Sequence, residues 1–395
     1  MTVRAGYKDT ELGLLPADWG IDRVVCCADV TTGAKNTQDR VDDGAYPFFV
    51  RSATVERINT YAFDTEGVLT AGDGVGTGKV FHYVNGRFDF HQRVYLIFNF
   101  RQNLNPRYFF WYFSANFFER IMQMTAKSSV DSVRREMIAD MPVPLPPPAE
   151  QTAIATALND VDALITSLEK LLAKKRDLKQ AAMQRLLTGK ERLPGFGGEW
   201  PVTKLSNIGR FLKGSGVRKD QCASGNLPCI RYGEIYTVHD DVVRSYRSFI
   251  SPEVAGNALR LRYGDVLFAG SGETKEEIGK CAALVSTDEV YAGGDIVVLR
   301  PEGQDSLFLG YLLNSKEVSA QKASCGQGDA VVHIGARSLG EVAVRLPPLP
   351  EQTAIANILT SMDTDIATVE TRLTKTRALK AGMMQELLTG RIRLL

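Results

Sequence analysis

Two segments of the chain place apolar residues at the alternating four- and three-residue intervals of a coiled-coil seam. One seam begins after Glu150 and the other after Glu351. This spacing predicts two helices of about 38 residues, each roughly 55 Å long. We expect the helices to pack on each other, because neither globular segment offers enough partners for such a seam. The seam residues are Ile154, Leu158, Val161, Ile165, Leu168, Leu172, Ile355, Leu359, Met362, Ile366, Val369 and Leu373.

Residues typical of helix ends flank both seams. Pro148 and Pro350 suit a first helical turn, while Gly189 and Gly390 suit a C-terminal stop. The basic run 174–176 lies in the later part of the first helix. It is typical of a solvated face that complements the helix dipole, and contact with a DNA backbone is the alternative.

The two helical segments are copies of one another. Residues 145–193 recur at 346–394 with a constant offset of 201, and 26 of the 49 aligned positions are identical. The segments ahead of them repeat more loosely, so the chain is an internal duplication. We therefore predict a first globular domain at 1–144, a first long helix at 145–193, a second globular domain at 194–345 and a second long helix at 346–395.

The globular segments are predicted to combine short strands with one short helix each. Apolar runs such as Val94–Phe98 are bounded by Gly and Asn, as expected of strands. Asn105 followed by proline predicts the start of the first short helix. We expect its aromatic run, Tyr108–Phe113, to lie in the core rather than to stack on bases, because the counterpart at 307–313 is mostly aliphatic.

Composition excludes several classes of protein. The 395 residues carry a formal net charge of +1, which gives no bulk electrostatic reason to expect nucleic acid. No apolar run approaches the roughly 20 residues of a membrane span, so we expect a cytoplasmic protein without membrane contact. The six cysteines lack CxxC spacing and the four histidines are far apart. We expect neither a metal site nor a disulfide framework.

A glycine-rich run at 72–79 resembles a phosphate-binding loop but departs from its pattern. Asp73 stands where a Walker A loop requires glycine, and Val80 replaces the Ser or Thr after Lys79. We interpret the run as a turn between strands, with contact between its amides or Lys79 and a DNA phosphate as the alternative. The motifs of hydrolases, zinc proteases and amino-methyltransferases are absent from the sequence.

The duplicated motifs LPPPAEQTAIA and LPPLPEQTAIA, each followed by a long helix that ends near LLTG, resemble those of type I restriction-modification specificity subunits. The resemblance covers the whole chain. The segments around Trp19 and Trp200 look like the family's entry to each target recognition domain, and 326–334 looks like the end of the second one. The first copy departs from the pattern at 128–131, where Ser-Ser-Val-Asp replaces Gly-Gln-Gly.

This resemblance implies an α+β fold with two globular α/β target recognition domains. Two long antiparallel helices would join them as a coiled coil, with pseudo-two-fold symmetry. Each domain would recognise one half of a bipartite, asymmetric double-stranded DNA site. Two methyltransferase subunits would dock on the chain, and restriction subunits are further candidate partners. The chain itself would be non-catalytic and bind no cofactor, with S-adenosylmethionine held by the methyltransferase subunits.

Basic side chains in the globular segments are the candidates for DNA contact, and an ordinary surface charge is the alternative for each. Two other function classes stay open: a self-sufficient DNA methyltransferase or nuclease, and a coiled-coil scaffold unrelated to DNA. The candidate residues are Arg51, Lys79 and Lys127 in the first domain, and Lys213, Arg218, Arg231, Lys275 and His333 in the second.

Overall fold

Residues 5–125, 132–328 and 331–394 are described by a computed structural model of the chain. They form two compact units. The first unit combines residues 1–170 with 371–395, and the second comprises residues 171–370. Each long helix is therefore shared between the units. The four-part division drawn from the repeat stays a prediction about segments of sequence.

The first unit is built around a six-stranded sheet with the order β4-β9-β7-β8-β5-β6. All its neighbouring strands are antiparallel except β5 and β8. The same unit contains two two-stranded sheets, β1-β2 and β3-β10. The strands are β1 (Tyr7–Thr10), β2 (Gly13–Pro16), β3 (Gly20–Arg23), β4 (Asp29–Thr32), β5 (Tyr46–Phe49), β6 (Val55–Ile58), β7 (Phe63–Ala71), β8 (Phe81–Phe90), β9 (Val94–Phe98) and β10 (Pro142–Leu145). The helices are α1 (Val24–Cys27), α2 (Pro106–Met124), α3 (Arg135–Ala139) and the beginning of α4 (Pro148–Leu186).

The second unit contains a five-stranded sheet, β12-β21-β17-β19-β14, and a four-stranded sheet, β15-β13-β20-β16. Two small sheets, β11-β23 and β18-β22, complete its described strands. The strands are β11 (Val202–Lys204), β12 (Gly209–Lys213), β13 (Leu227–Ile230), β14 (Val242–Val243), β15 (Ser248–Ile250), β16 (Leu259–Arg260), β17 (Val266–Ala269), β18 (Ser271–Gly272), β19 (Cys281–Leu284), β20 (Tyr291–Ala292), β21 (Ile296–Pro301), β22 (Val332–His333) and β23 (Ala343–Arg345). The helices are α5 (Tyr232–Thr237), α6 (Pro252–Ala255), α7 (Ser306–Leu313), α8 (Lys316–Cys325), α9 (Ala336–Gly340) and the beginning of α10 (Leu349–Leu387).

The prediction of one short helix per globular segment is wrong in number. Within the described residues the first segment contains three α-helices and the second contains five, besides short 3-10 helices. Those that the sequence missed are mostly one-turn helices or, in α8, a polar run without an apolar stripe, so no periodicity marks them. The aromatic run was placed correctly: Asn105 caps α2 by accepting from two backbone amides, and five of the six residues Tyr108–Phe113 are buried.

The two long helices span 39 residues each and run antiparallel within each unit. In the first unit, Asp162 of α4 pairs with Lys380 of α10, and Glu169 lies 2.6 Å from Arg377. The partner's number falls as the number along α4 rises, which is the antiparallel order. This pairing, with two units of mixed α and β structure, confirms the predicted fold class.

Most seam residues are buried, but those at the helix starts are buried by the globular cores. Nine of the twelve seam residues are buried, and the other three are partly buried. Ile154 and Leu158 belong to the core that contains the aromatic helix α2, and Ile355 and Leu359 belong to the core of the second unit. The helices contact each other as expected, but the premise that the globular segments offer too few partners is wrong at the first turns, because those turns are part of the globular cores.

The Glu of each EQTAIA motif forms an ion pair with an arginine that follows the long helix of the other repeat. Glu150 is almost fully buried, and both its oxygens accept from Arg393, at 2.7 and 2.8 Å. The same carboxylate accepts from the indole of Trp19, and Arg393 also reaches Asp18. A buried carboxylate needs such a bidentate partner, because desolvation penalises an unpaired charge.

The second unit repeats this arrangement at the positions offset by 201. Glu351 is fully buried and accepts from two nitrogens of Arg192, at 2.7 and 2.6 Å. The guanidinium of Arg192 lies 5.6 Å from the ring of Trp200. Each unit therefore depends on a residue that follows the long helix of the other repeat.

The Gln of the same motif connects each long helix to the short helix of its own domain. Gln151 accepts from the backbone amide of Asn105, at 2.8 Å, and its amide group donates to two backbone carbonyls. Gln352 accepts likewise from the amide of Asp305, at 3.0 Å. These contacts explain why Glu and Gln remain adjacent in both copies.

Candidate nucleic-acid interface

A tight loop connects β7 and β8 in the first unit. The hydroxyl of Thr77 donates to the carbonyl of Gly74 at 2.7 Å, and the amide of Val80 donates to the carbonyl of Gly76 at 2.9 Å. Gly74 has a φ of +76°, a conformation that other residues rarely adopt. The glycine-rich run is therefore a turn between strands, as predicted, and its internal hydrogen bonds hold it in one conformation.

The loop packs closely on its neighbours. A Cβ atom added to Gly76 would lie 2.3 Å from the carbonyl oxygen of Arg51, and one added to Gly78 would lie 2.9 Å from the ring of Phe118. Only glycine fits at the first of these positions without moving the backbone. The close approach fixes the loop against the segment that carries Arg51.

Three exposed cations flank this loop. Arg51 lies 3.0 Å from Asp73, and Arg93 lies 3.8 Å from the same carboxylate. Lys79 extends over the ring of Phe118, with 5.8 Å from its nitrogen to the ring centroid. One carboxylate thus orients two arginines, and the loop edge keeps a net positive charge. Burial, together with the positive charge of Arg51, lowers the pKa of the nearby His91.

The corresponding loop of the second unit leads from β18 to β19. The hydroxyl of Ser271 and the Nδ1 atom of His333 are 2.9 Å apart. Gln327 and His333 exchange two backbone hydrogen bonds, at 2.9 and 2.8 Å. The ammonium group of Lys322, almost fully buried, donates to the carbonyl of Gly279 at 2.6 Å and so anchors the end of the loop.

The two loops share a backbone framework. In the first unit the amide of Val133 donates to the carbonyl of Gly72 at 2.7 Å. In the second unit the amide of Ile334 donates to the carbonyl of Gly270 at 2.9 Å. The backbones of Asp73 and Ser132 also form an antiparallel β-bridge, and those of Ser271 and His333 pair in the same way. Residues 128–131, where the first copy departs from the family pattern, lie outside the described residues.

The remaining predicted DNA-binding residues divide between this edge and the surrounding surface. Lys213 is exposed at the end of β12, and Arg231 is half-buried just before α5. Lys275 is exposed on the loop itself. Arg218 is exposed in the turn before residues 219–221, with Asp220 at 3.9 Å. Lys127 lies outside the described residues.

Sequence reasoning missed Arg93 and Val75 beside the first loop. Arg93 follows the loop by more than ten residues, and only the pairing of β7 with β9 brings it to Asp73. Val75 is 99% exposed between two glycines. An apolar residue inside a glycine-rich turn was the signal available for it, since turns are usually polar.

The basic run in α4 is largely solvent-exposed, as the interpretation of a solvated face expects, and contact with DNA stays a prediction. Lys175 lies 2.6 Å from Asp365, and Arg176 pairs with Glu370, all within the second unit. Two of its three cations therefore bind the neighbouring helix α10. These two ion pairs lie at the solvent-exposed surface of the antiparallel helix pair, where such pairs contribute little to stability.

Metal-ligating side chains and thiols form no cluster in the described parts of the chain. No group of three or more His, Cys, Asp or Glu residues is arranged there to hold a metal ion, and the cysteines are free thiols. None of the described helices combines the length and hydrophobicity needed to cross a bilayer.

Comparison with known proteins gives one consistent family. The family described as "Type I restriction modification DNA specificity domain" matches residues 25–179 and 198–376. The chain is 24% identical to the EcoDI type I restriction enzyme specificity subunit of Escherichia coli, over 96% of this chain and 89% of that protein. It is 23% identical to the MjaVIII specificity subunit of Methanocaldococcus jannaschii, over 98% and 96%.

Solved structures share the fold. The S subunit of a type I restriction-modification system from M. genitalium superposes with a TM-score of 0.67 at 14% identity, covering 94% of this chain and 96% of that one. A chain from a study of complex assembly and conformational transition of the type I R-M system gives a TM-score of 0.52 at 17% identity, covering 96% and 99%.

Proposed function

The chain belongs to the type I restriction-modification DNA specificity family, and on that premise we propose that it recognises a bipartite DNA site through one loop edge in each unit. The first edge consists of the loop 72–80 with Arg51 and Arg93. The second consists of the loop 270–280 with the described residues 326–328 and 331–334. The exposed cations would contact phosphates, and the loop side chains would contact base edges.

The observation that supports this proposal is a common backbone framework that carries different side chains. Both loops receive an amide hydrogen bond from the segment that follows the short helices, through Val133 in one unit and Ile334 in the other. The exposed residues on that framework differ, with valine and arginines in the first unit and glutamates, Lys275 and His333 in the second. Two half-sites of different sequence are the expected consequence.

Exchange of one domain tests this division. Residues 194–345 would be replaced by the matching domain of a relative, and the methylated sequences would be read in cells that also carry the neighbouring genes. We expect a change in one half-site only. The reciprocal exchange of residues 1–144 is the matched control and should change the other half-site. A change of both half-sites in either chimaera would contradict separate recognition.

We further propose that the chain is non-catalytic and works with methyltransferase subunits that bind S-adenosylmethionine. The absence of methyltransferase motifs from the sequence and the family membership support this. Methyl transfer to DNA would be measured with the purified chain alone and with the neighbouring subunits added. Transfer only in the second mixture is expected. Transfer by the chain alone would establish a self-sufficient enzyme instead.

A further inference from the structure

Val75 is the most exposed large hydrophobic side chain among the described residues. Its exposed fraction is 99%, compared with 66% for Tyr263 and 64% for Val202. Scattered exposed apolar residues are common on protein surfaces and need no explanation by themselves. The surroundings of Val75 separate it from such cases.

The loop holds Val75 in a fixed position. The hydrogen bonds from Thr77 to Gly74, and from Val80 to Gly76, close the turn on both sides of it. Gly76 is in close contact with the carbonyl of Arg51, so the base of the loop cannot shift freely. A β-branched side chain is also stiff about χ1. The two methyl groups are therefore presented to solvent with little conformational entropy left to lose on binding.

The exposed groups around Val75 carry positive charge. Arg51 and Arg93 flank the loop on one side, and Lys79 lies at its end. An exposed apolar residue in a loop with three cations nearby suits a duplex groove, which has phosphates along its rims and the C5-methyl group of thymine on its major-groove floor. A protein surface that buries apolar area would offer no such series of phosphates.

The second unit lacks this apolar group. Its loop contains Glu273, Thr274, Lys275, Glu276 and Glu277 at the exposed positions, and the next apolar residue, Ile278, is buried. An exposed apolar residue within the loop is therefore found in the first unit alone, since Val331, which is 51% exposed, lies outside the loop of the second unit. It should act on one half-site.

We propose that Val75 is a specificity-determining residue that contacts the C5-methyl group of a thymine in the half-site recognised by the first unit. This inference rests on the proposed function. Discrimination here is by apolar contact, which distinguishes thymine from bases that lack the methyl group. Removing that methyl group from the DNA should have the same effect as removing the methyl groups of Val75.

Replacement of thymine by uracil isolates the contact, because uracil keeps the hydrogen-bonding pattern and loses only the methyl group. The complex would be purified from cells that express the gene with its neighbours, and duplexes with single thymine-to-uracil changes would be titrated. The domain exchange identifies the half-site of the first unit. At one thymine there, we expect uracil to weaken wild-type binding about fourfold, the effect of one methyl group removed from water.

The variant V75A completes a double-mutant cycle with the same duplexes. It should bind the thymine duplex about as weakly as the wild type binds the uracil duplex, and uracil should weaken it no further. V202A removes methyl groups from an exposed valine of the second unit and is the matched control, which should respond to uracil as the wild type does. Thermal denaturation would verify that each variant is folded.

Three results would overturn the inference: wild-type binding indifferent to uracil at every thymine of that half-site, an undiminished uracil effect in V75A, or a half-site without any A·T pair. Loss of co-purifying subunits in V75A with unchanged DNA binding would also contradict it, and would indicate a protein contact. A wild-type complex that fails to distinguish its site from a scrambled duplex would instead refute the proposed function itself.

Discussion

Lys322 shows how one buried side chain supports a binding loop. It lies in α8 with 1% of its surface exposed, and its ammonium group donates to the carbonyl of Gly279 at 2.6 Å. Burial lowers its pKa, because desolvation disfavours the charged form. Lys322 thus anchors the loop that carries Lys275, and its contribution to the stability of the folded state depends on pH.

The variant K322M should remove this pH dependence. A folded-state pKa below the unfolded value of about 10.4 means that the unfolded chain binds more protons between the two values. The contribution of Lys322 to stability therefore rises as pH increases through that window. The free energy of unfolding would be measured by denaturant titration at pH 7 and 9.5. Relative to K322M, the wild type should be more stable at pH 9.5 than at pH 7. K316M, at an exposed lysine of the same helix, is the matched control for the loss of one lysine.

At the scale of elements, the ends of the long helices are joined by buried ion pairs between the repeats. Removal of Arg393 leaves the carboxylate of Glu150 buried without its partner, which typically costs about 3–5 kcal/mol. We expect R393A to destabilise the first unit by that amount. R192A should destabilise the second unit, because the buried carboxylate of Glu351 loses its partner. Hydrogen exchange measured separately in the two units would record both effects.

The double variant E150Q/R393A distinguishes the ion pair from simple loss of packing. Because it removes the buried charge together with its partner, it should be more stable than R393A. The pair E351Q/R192A and R192A provides the same comparison in the second unit. Equal stability of the single and double variants, or an effect of R393A confined to the second unit, would contradict the assignment of these contacts.

At the scale of the whole molecule, the length of the paired helices should set the gap between the half-sites. Each helix of 39 residues contributes to both units. Four residues inserted between Lys170 and Leu171, and four between Glu370 and Thr371, add about 6 Å while keeping the seam nearly in phase. We expect both half-sites to survive with a gap longer by up to about two base pairs at about 3.4 Å each.

Insertion of two residues at the same places is the control. It rotates each following segment by about 200° and moves its apolar stripe away from the partner helix, so folding or activity should fail. The methylated sequences produced by the four-residue variant decide the matter. An unchanged gap would show that helix length does not set the spacing.

The amino-acid sequence by itself determined the duplication, the two long helices, the α2 start at Asn105 and the turn at 72–80. These features rest on local periodicity, helix caps and glycine, which act within a few residues of one another. Tertiary structure alone decided that Arg393 binds Glu150, that Lys175 binds Asp365, and that Arg93 joins the first loop. Those partners are far apart in the chain and are brought together by packing and strand pairing, so no local pattern records which charge meets which.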